Sequence, residues 1–250
     1  MKKALLLLSL LLFVTNSLFA QYFCPVPKGT IHRAYIEYEN SGWVNIKTGY
    51  GECNGKYWEL WFDTPHQVTS LASTAGFHYI YIDDTASTYP TVSFTDSSTA
   101  PSWSDEKQGW YYSNDRCIGV VWSPAGSATI QQFTTDAEGK YIYIGNITQI
   151  LTNGNPTGGW VFLNASDYTP VNANAISIWA TGQDVNATVK VLVASSDNAG
   201  NSMGIFGFHN VGSSGWIFFQ PDSDRNLQWF GYDDDDNLFN IYIRGYKIIR

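Results

Sequence analysis

At 250 residues the chain is long enough for one large β-domain or two of ordinary size, and either would hold a sizeable core. Its formal net charge is −8, with 22 acids against 14 bases and no basic stripe in either half, which argues against nucleic acid and anionic membrane surfaces as partners. Charged residues make up 14% and aromatics 16%, so the Glu, Lys, Arg and Gln that build helix surfaces are scarce and the composition points to strands.

The chain opens with a positive pair, Lys2-Lys3, then Ala4 to Val14, apolar except for Ser9, and Leu18-Phe19-Ala20 before Gln21. This pattern predicts a cleaved secretory signal over 1–20 and an exported mature protein. The apolar run breaks at Thr15-Asn16, short of the roughly 20 residues of a membrane span, so no membrane insertion is expected. Cys24 lies near the cut, but Gln21-Tyr22-Phe23 are not the small residues that lipid attachment favours.

Period-two alternation then dominates. Ala34–Glu39, Trp43–Lys47 and Lys56–Phe62 read as meandering strands joined by turns at Asn40-Ser41-Gly42 and at a segment holding Gly49, Gly51, Asn54 and Gly55. His66–Ala75 has a weakly helical look. Phe77–Ile82 is a strand stopped by Asp83-Asp84, followed by Thr91–Phe94, Gly109–Tyr112, Cys117–Trp122 and Ala128–Phe133. A polar turn cluster, Thr134–Gly139, and a Gly-rich stretch, Asn153–Gly159, suggest a boundary between 21–137 and 138–250. Lys140–Ile144 repeats the Tyr-Ile alternation between them. Beyond lie Trp160–Leu163, Ala175–Ala180, Ala187–Ala194, Gly204–Phe208, Gly215–Gln220, Leu227–Gly231 and Leu238–Tyr246. The expected fold is all-β: two antiparallel β-sandwich, jelly-roll-like domains after the signal.

Three cysteines leave one over after any pair forms. The simplest disulfide joins Cys53 to Cys117, which leaves Cys24 unpaired or paired between chains; sequence does not fix the connectivity. The four histidines fall in no metal-binding spacing, and no G-x-S-x-G elbow is present. Glu37, Glu39, Glu52 and Glu59 could line a glycosidase cleft, although alternating acids on antiparallel strands are expected for solubility alone. No catalytic residue is assigned. The run Asp233–Asp236 offers Asp233, Asp235 and Asp236 as oxygen ligands for Ca²⁺, against the alternative of a solvated hairpin turn; Asp197-Asn198 with Asn201 is a weaker second loop.

Aromatic residues carry the functional argument, because a sugar's apolar face stacks on an exposed ring while carboxylates and amides accept its hydroxyl hydrogens. Trp103 sits in a loop without strand alternation and is hard to bury, and Trp110-Tyr111-Tyr112 are consecutive, so one ring at least must point away from a core. The candidate ligand-binding residues are Trp103, Asp105, Trp110 and Tyr112 in the first half, with Trp229 and Tyr232 in the second.

Several scattered signals follow one another in a fixed order: Val44-Asn45-Ile46 leading to Gly51-Glu52-Cys53, His78–Ile82, Ser98–Pro101, Asp115–Gly119, Ile130–Phe133, Tyr168–Val171 and Ile241–Tyr246. Together they resemble modules of phage and prophage tail appendages. The resemblance implies a tail-fibre-like module that contacts a receptor or forms a fibre, often as a homotrimer; the signal sequence is a departure and points to an adhesin outside the cell. Tyr79–Ile82, Tyr141–Ile144 and Ile241–Tyr246 would present ring-bearing faces for self-association. The functions expected are glycan or surface-polymer recognition, a structural fibre subunit, or glycan cleavage.

Overall fold

The computed structural model describes residues 26–85, 92–154, 159–183, 188–195, 204–209, 214–219, 224–231 and 238–249. The expected signal segment and Cys24 lie outside them. The chain is all-β, and every paired strand is antiparallel. Among the described residues one 3₁₀ turn, Ser166–Tyr168, occurs, and no helix is long and apolar enough to cross a membrane.

Two small sheets come first. One has the order β1 (Ile31–Arg33), β4 (Gly49–Cys53), β5 (Lys56–Leu60); the other is β2 (Ile36–Asn40), β3 (Trp43–Ile46), β6 (Thr64–Gln67). The chain passes from β1 to β2 through a corner at Arg33 and Ala34, both with positive φ (58° and 49°), where L-residues are strained. Gly49 runs directly beneath this corner, where a Cβ would lie 2.3 Å from the Ala34 nitrogen. Only glycine permits that approach.

The next sheet has the order β8 (Phe94–Ser97), β7 (Gly76–Ile82), β11 (Asp115–Ser123), β10 (Gly109–Tyr112), β9 (Ser102–Ser104). A further five-stranded sheet runs β12 (Phe133–Thr135), β13 (Tyr141–Gly154), β20 (Leu238–Ile248), β15 (Ala173–Gln183), β18 (Ser214–Phe219). The last sheet is β14 (Val161–Leu163), β19 (Leu227–Gly231), β16 (Thr188–Ser195), β17 (Gly204–His209).

Two apolar cores result. The first gathers Ile36, Val44, Ile46, Ile80, Ile82 and Val120; the second gathers Ile176, Ile178, Trp229, Ile241 and Ile243. The last strand serves both, because Tyr246 and Ile248 at its end enter the first core, with Phe77 against Tyr246 at 5.9 Å. Phe133 and Ile142, from the strands flanking the turn at 136–139, also pack there.

Three expectations need correction. His66–Ala75 is not helical: it begins in β6 and continues as irregular chain, because Asp96 captures the Thr69 and Ser70 backbone N–H groups. Ala128–Phe133 joins a strand only at Phe133, since Ile130 and Gln131 donate instead to the Ser41 and Trp122 carbonyls. Of the rings proposed for self-association, Tyr79, Tyr81 and Tyr246 are interior, at 3%, 1% and 1% exposed, because they pack into the first core, whereas Tyr242 is half-buried and the Tyr141 and Tyr143 side chains lie outside what the structure describes.

Candidate functional site

The β9–β10 hairpin resolves the question posed by three consecutive rings. Along β10 burial alternates: Gly109 and Tyr111 face inward, Trp110 is half-buried and Tyr112 is exposed. The inward face is filled by Arg116, whose guanidinium donates to the Gln108 carbonyl (3.1 Å) and the Gly29 carbonyl (2.9 Å) and lies over the Tyr111 ring at 5.1 Å. A Cβ at Gly109 would lie 1.0 Å from an Arg116 nitrogen, so glycine is required there.

The outward face is aromatic. Cross-strand pairing sets Trp103 opposite Trp110, with ring centroids 5.8 Å apart at 70°, an edge-to-face contact. Trp103 is 42% exposed and Tyr112 44%. The Trp103 indole N–H donates to Asp105 Oδ1 at 2.7 Å, which fixes the ring's orientation despite its exposure. The turn beneath is tied by Lys107 N–H to Ser104 Oγ (3.2 Å) and by the Gln108 side-chain amide to the Asp105 carbonyl (2.5 Å). Tyr112 in turn contacts Tyr81 at 6.0 Å.

This row ends at carboxylates. Tyr112 pairs with Asp115 at the start of β11, and the β11–β7 register places Asp115 beside Asp83 and Asp84, which follow the last residue of β7. One oxygen from each of the three lies within 4.8 Å of the others. Asp84 N–H donates to Asp115 Oδ1 (3.0 Å), Asn54 Nδ2 donates to Asp84 Oδ2 (2.9 Å), and Lys56 Nζ donates to the Asp84 carbonyl (2.6 Å). Thr85 caps Asp83 through its N–H and hydroxyl at 2.9 and 2.7 Å. Burial raises the Asp115 pKa, the Asp84 N–H opposes that rise, and the Asp83 and Asp84 charges add to it. Such a trio can accept hydroxyl hydrogens or supply oxygens to a cation.

Four of the six ligand-binding candidates, Trp103, Asp105, Trp110 and Tyr112, therefore share one hairpin. Trp229 does not belong with them: it is 2% exposed, because its face of β19 packs with Leu163, Ile178, Leu227 and Ile241 in the second core. Tyr232, Asp233, Asp235 and Asp236 lie outside the described residues. The expected Cys53–Cys117 disulfide is not formed. Cys53 Sγ is turned to the Asn114 carbonyl at 3.6 Å, whereas Cys117 Sγ faces Gly119 O at 3.5 Å and Asn172 Nδ2 at 3.9 Å. Burial pushes the Cys53 thiol up to about 12. Among the glutamates weighed for catalysis, Glu52 is buried and accepts the Gly29 N–H (2.8 Å) and the Gly55 N–H, while Glu37 pairs with Lys47 at 3.3 Å.

Reading the sequence alone missed the carboxylate trio. Its signal was an acidic doublet closing one strand and an aspartate opening another, which become neighbours only through the register of β7 and β11. The sequence matches no known family and no curated protein with which it was compared.

Proposed function

We propose that the chain is an exported recognition protein that binds neutral glycans of a cell surface through the outward face of the β9–β10 hairpin. The observation that carries this reading is the row Trp103, Trp110, Tyr112 on one face, ending at the carboxylates of Asp115, Asp83 and Asp84. Exposed rings give the apolar C–H face of a pyranose a surface on which to stack, and carboxylates accept its hydroxyl hydrogens. The secretory pattern, the acidic charge and the tail-appendage resemblance point in the same direction, since each suits contact with neutral polymer outside the cell.

The test is a glycan array probed with residues 21–250 and with Trp103→Ala. The expected outcome is binding to a neutral glycan that the substitution weakens by about 1–3 kcal/mol, with an unchanged melting temperature. Absence of binding, or a melting temperature that falls while affinity holds, overturns the reading.

A further inference from the structure

A second group of exposed rings lies on a different sheet. The registers of β1, β4 and β5 set His32 opposite Tyr50 and Tyr50 opposite Glu59, so three strands contribute one row to a common face. The His32 and Tyr50 rings lie 4.9 Å apart with planes tilted by 33°. Two residues beyond Glu59, Trp61 stands 61% exposed. Together with Arg33 and Thr48 these residues line a cleft of about 330 Å³, at the small end of the range for ligand sites.

The cleft is built rather than incidental. Trp61 belongs to the corner between β5 and β6, and that corner is anchored by Asp63, which accepts the Thr48 N–H at 3.0 Å and forms an ion pair with Lys47. Lys47 is also held by Glu37 at 3.3 Å. An exposed tryptophan is thus carried on a tethered turn, which lowers the entropy lost when a ligand stacks on it. Arg33, one of the lining residues, has a positive φ, and strain of this kind clusters at ligand sites.

We propose that this cleft is a second binding site, for a single neutral pyranose ring. Its chemistry selects that class. Arg33 can only donate, Glu59 can only accept, and the Thr48 and Tyr50 hydroxyls do both, which matches a ring of hydroxyls that each donate and accept. A phosphate would face the Glu59 carboxylate without a cluster of bases to outweigh it, and a quaternary ammonium would face the Arg33 guanidinium. The ligand class is shared with the function proposed above and rests on that reading, whereas the residues and the sheet are separate.

The probes are the methyl glycosides of glucose, galactose, mannose and N-acetylglucosamine, followed by saturation-transfer NMR and tryptophan fluorescence on residues 21–250. At least one glycoside should bind, with a Kd that rises about ten-fold or more in Trp61→Ala, rises also in Glu59→Leu, and holds in Trp103→Ala. Because Trp61 is largely exposed, its replacement should leave the melting temperature unchanged. Binding abolished by Trp103→Ala but unaffected by Trp61→Ala would overturn the cleft while sustaining the hairpin. Failure of all four glycosides, or their displacement by choline or inorganic phosphate, would overturn the cleft; array binding lost in Trp103→Ala would still sustain the hairpin.

Discussion

Replacing Arg116 with methionine keeps much of the aliphatic stem and removes the guanidinium, which is wholly buried at 0% exposure. Two carbonyls, Gln108 and Gly29, then lose their donor. An acceptor left unsatisfied costs about 1–3 kcal/mol when buried and less where water can replace the donor, so with Gln108 exposed and Gly29 half-buried the pair gives roughly 1–4 kcal/mol. Part of that is offset, because no carboxylate lies within ion-pair distance of Arg116 among the described residues and the cation's own desolvation cost disappears with it. The net expectation is a loss of about 1–3 kcal/mol in urea unfolding. Gly109→Ala provides the control, since its Cβ would meet the guanidinium head-on and must expel it. The two substitutions should each destabilise and together cost less than their sum, because both break one contact. Since Arg116 supports the inward face of β10, both should also weaken binding at Trp103 and Tyr112 on the other side. A methionine variant within about 0.5 kcal/mol of the parent would refute the reasoning.

Asp96 accepts from His66 Nε2 (3.2 Å), from Thr69 through its N–H (3.0 Å) and hydroxyl (3.1 Å), and from Ser70 N–H (2.6 Å). Burial alone would raise its pKa, yet these bonds hold it well below the usual carboxylate range. Its stabilisation is therefore present above the unfolded value of about 3.9 and lost as pH falls toward the folded one, so Asp96→Asn should cost about 2–3 kcal/mol at pH 7 and flatten the acid limb of a urea-midpoint titration. Asp115 has the opposite sign: its raised folded pKa gives stability that is present at low pH and lost as pH rises through it. Asp115→Asn should raise the melting temperature at pH 7 and leave it unchanged at pH 3, as read by differential scanning calorimetry. Cys53 and Cys117 are buried thiols; peptide mapping after alkylation at pH 8 should find both unlabelled in the native protein and labelled in urea, while a disulfide-linked peptide would reverse that assignment.

Much of the fold was legible because period-two alternation survives wherever one sheet face is buried. Phe77–Ile82 and Cys117–Trp122, buried on both faces, read instead as nearly unbroken apolar runs and correspond to β7 and β11, and all seven strands expected beyond residue 159 are present, although β15 and β20 run longer than their apolar cores. The failures have local causes. β9 has only Ser-Trp-Ser and shows no periodicity of its own; it exists because β10 offers a paired edge. Ala128–Ile130 has strand-like residues, but the Ile130 N–H is taken by Ser41 O at 2.7 Å, a long-range contact that no local pattern reports.

The candidate sites were legible in their residue types and not in their assembly. Trp103, expected in a loop and hard to bury, lies on β9 instead and is 42% exposed, while the Trp110–Tyr112 run was read as one that must send a ring outward, which follows from side-chain alternation alone. Pairing was the missing variable. The trio needs the register that sets Arg116 opposite Ile82, which brings Asp115 next to Asp83, and the cleft needs Tyr50 to lie between His32 and Glu59. A slip of one residue in either register would move those groups to opposite faces. The same dependence explains why Trp229 was misplaced. Its local sequence resembles that of Trp110 in having an aromatic neighbour, Phe230 against Tyr111, but β10 has its aromatic face open while the Trp229 face of β19 is covered by the second core. Exposure of a ring in an all-β chain is thus set by the position of its strand within the sheet stack, and that position is fixed by pairings distant in sequence.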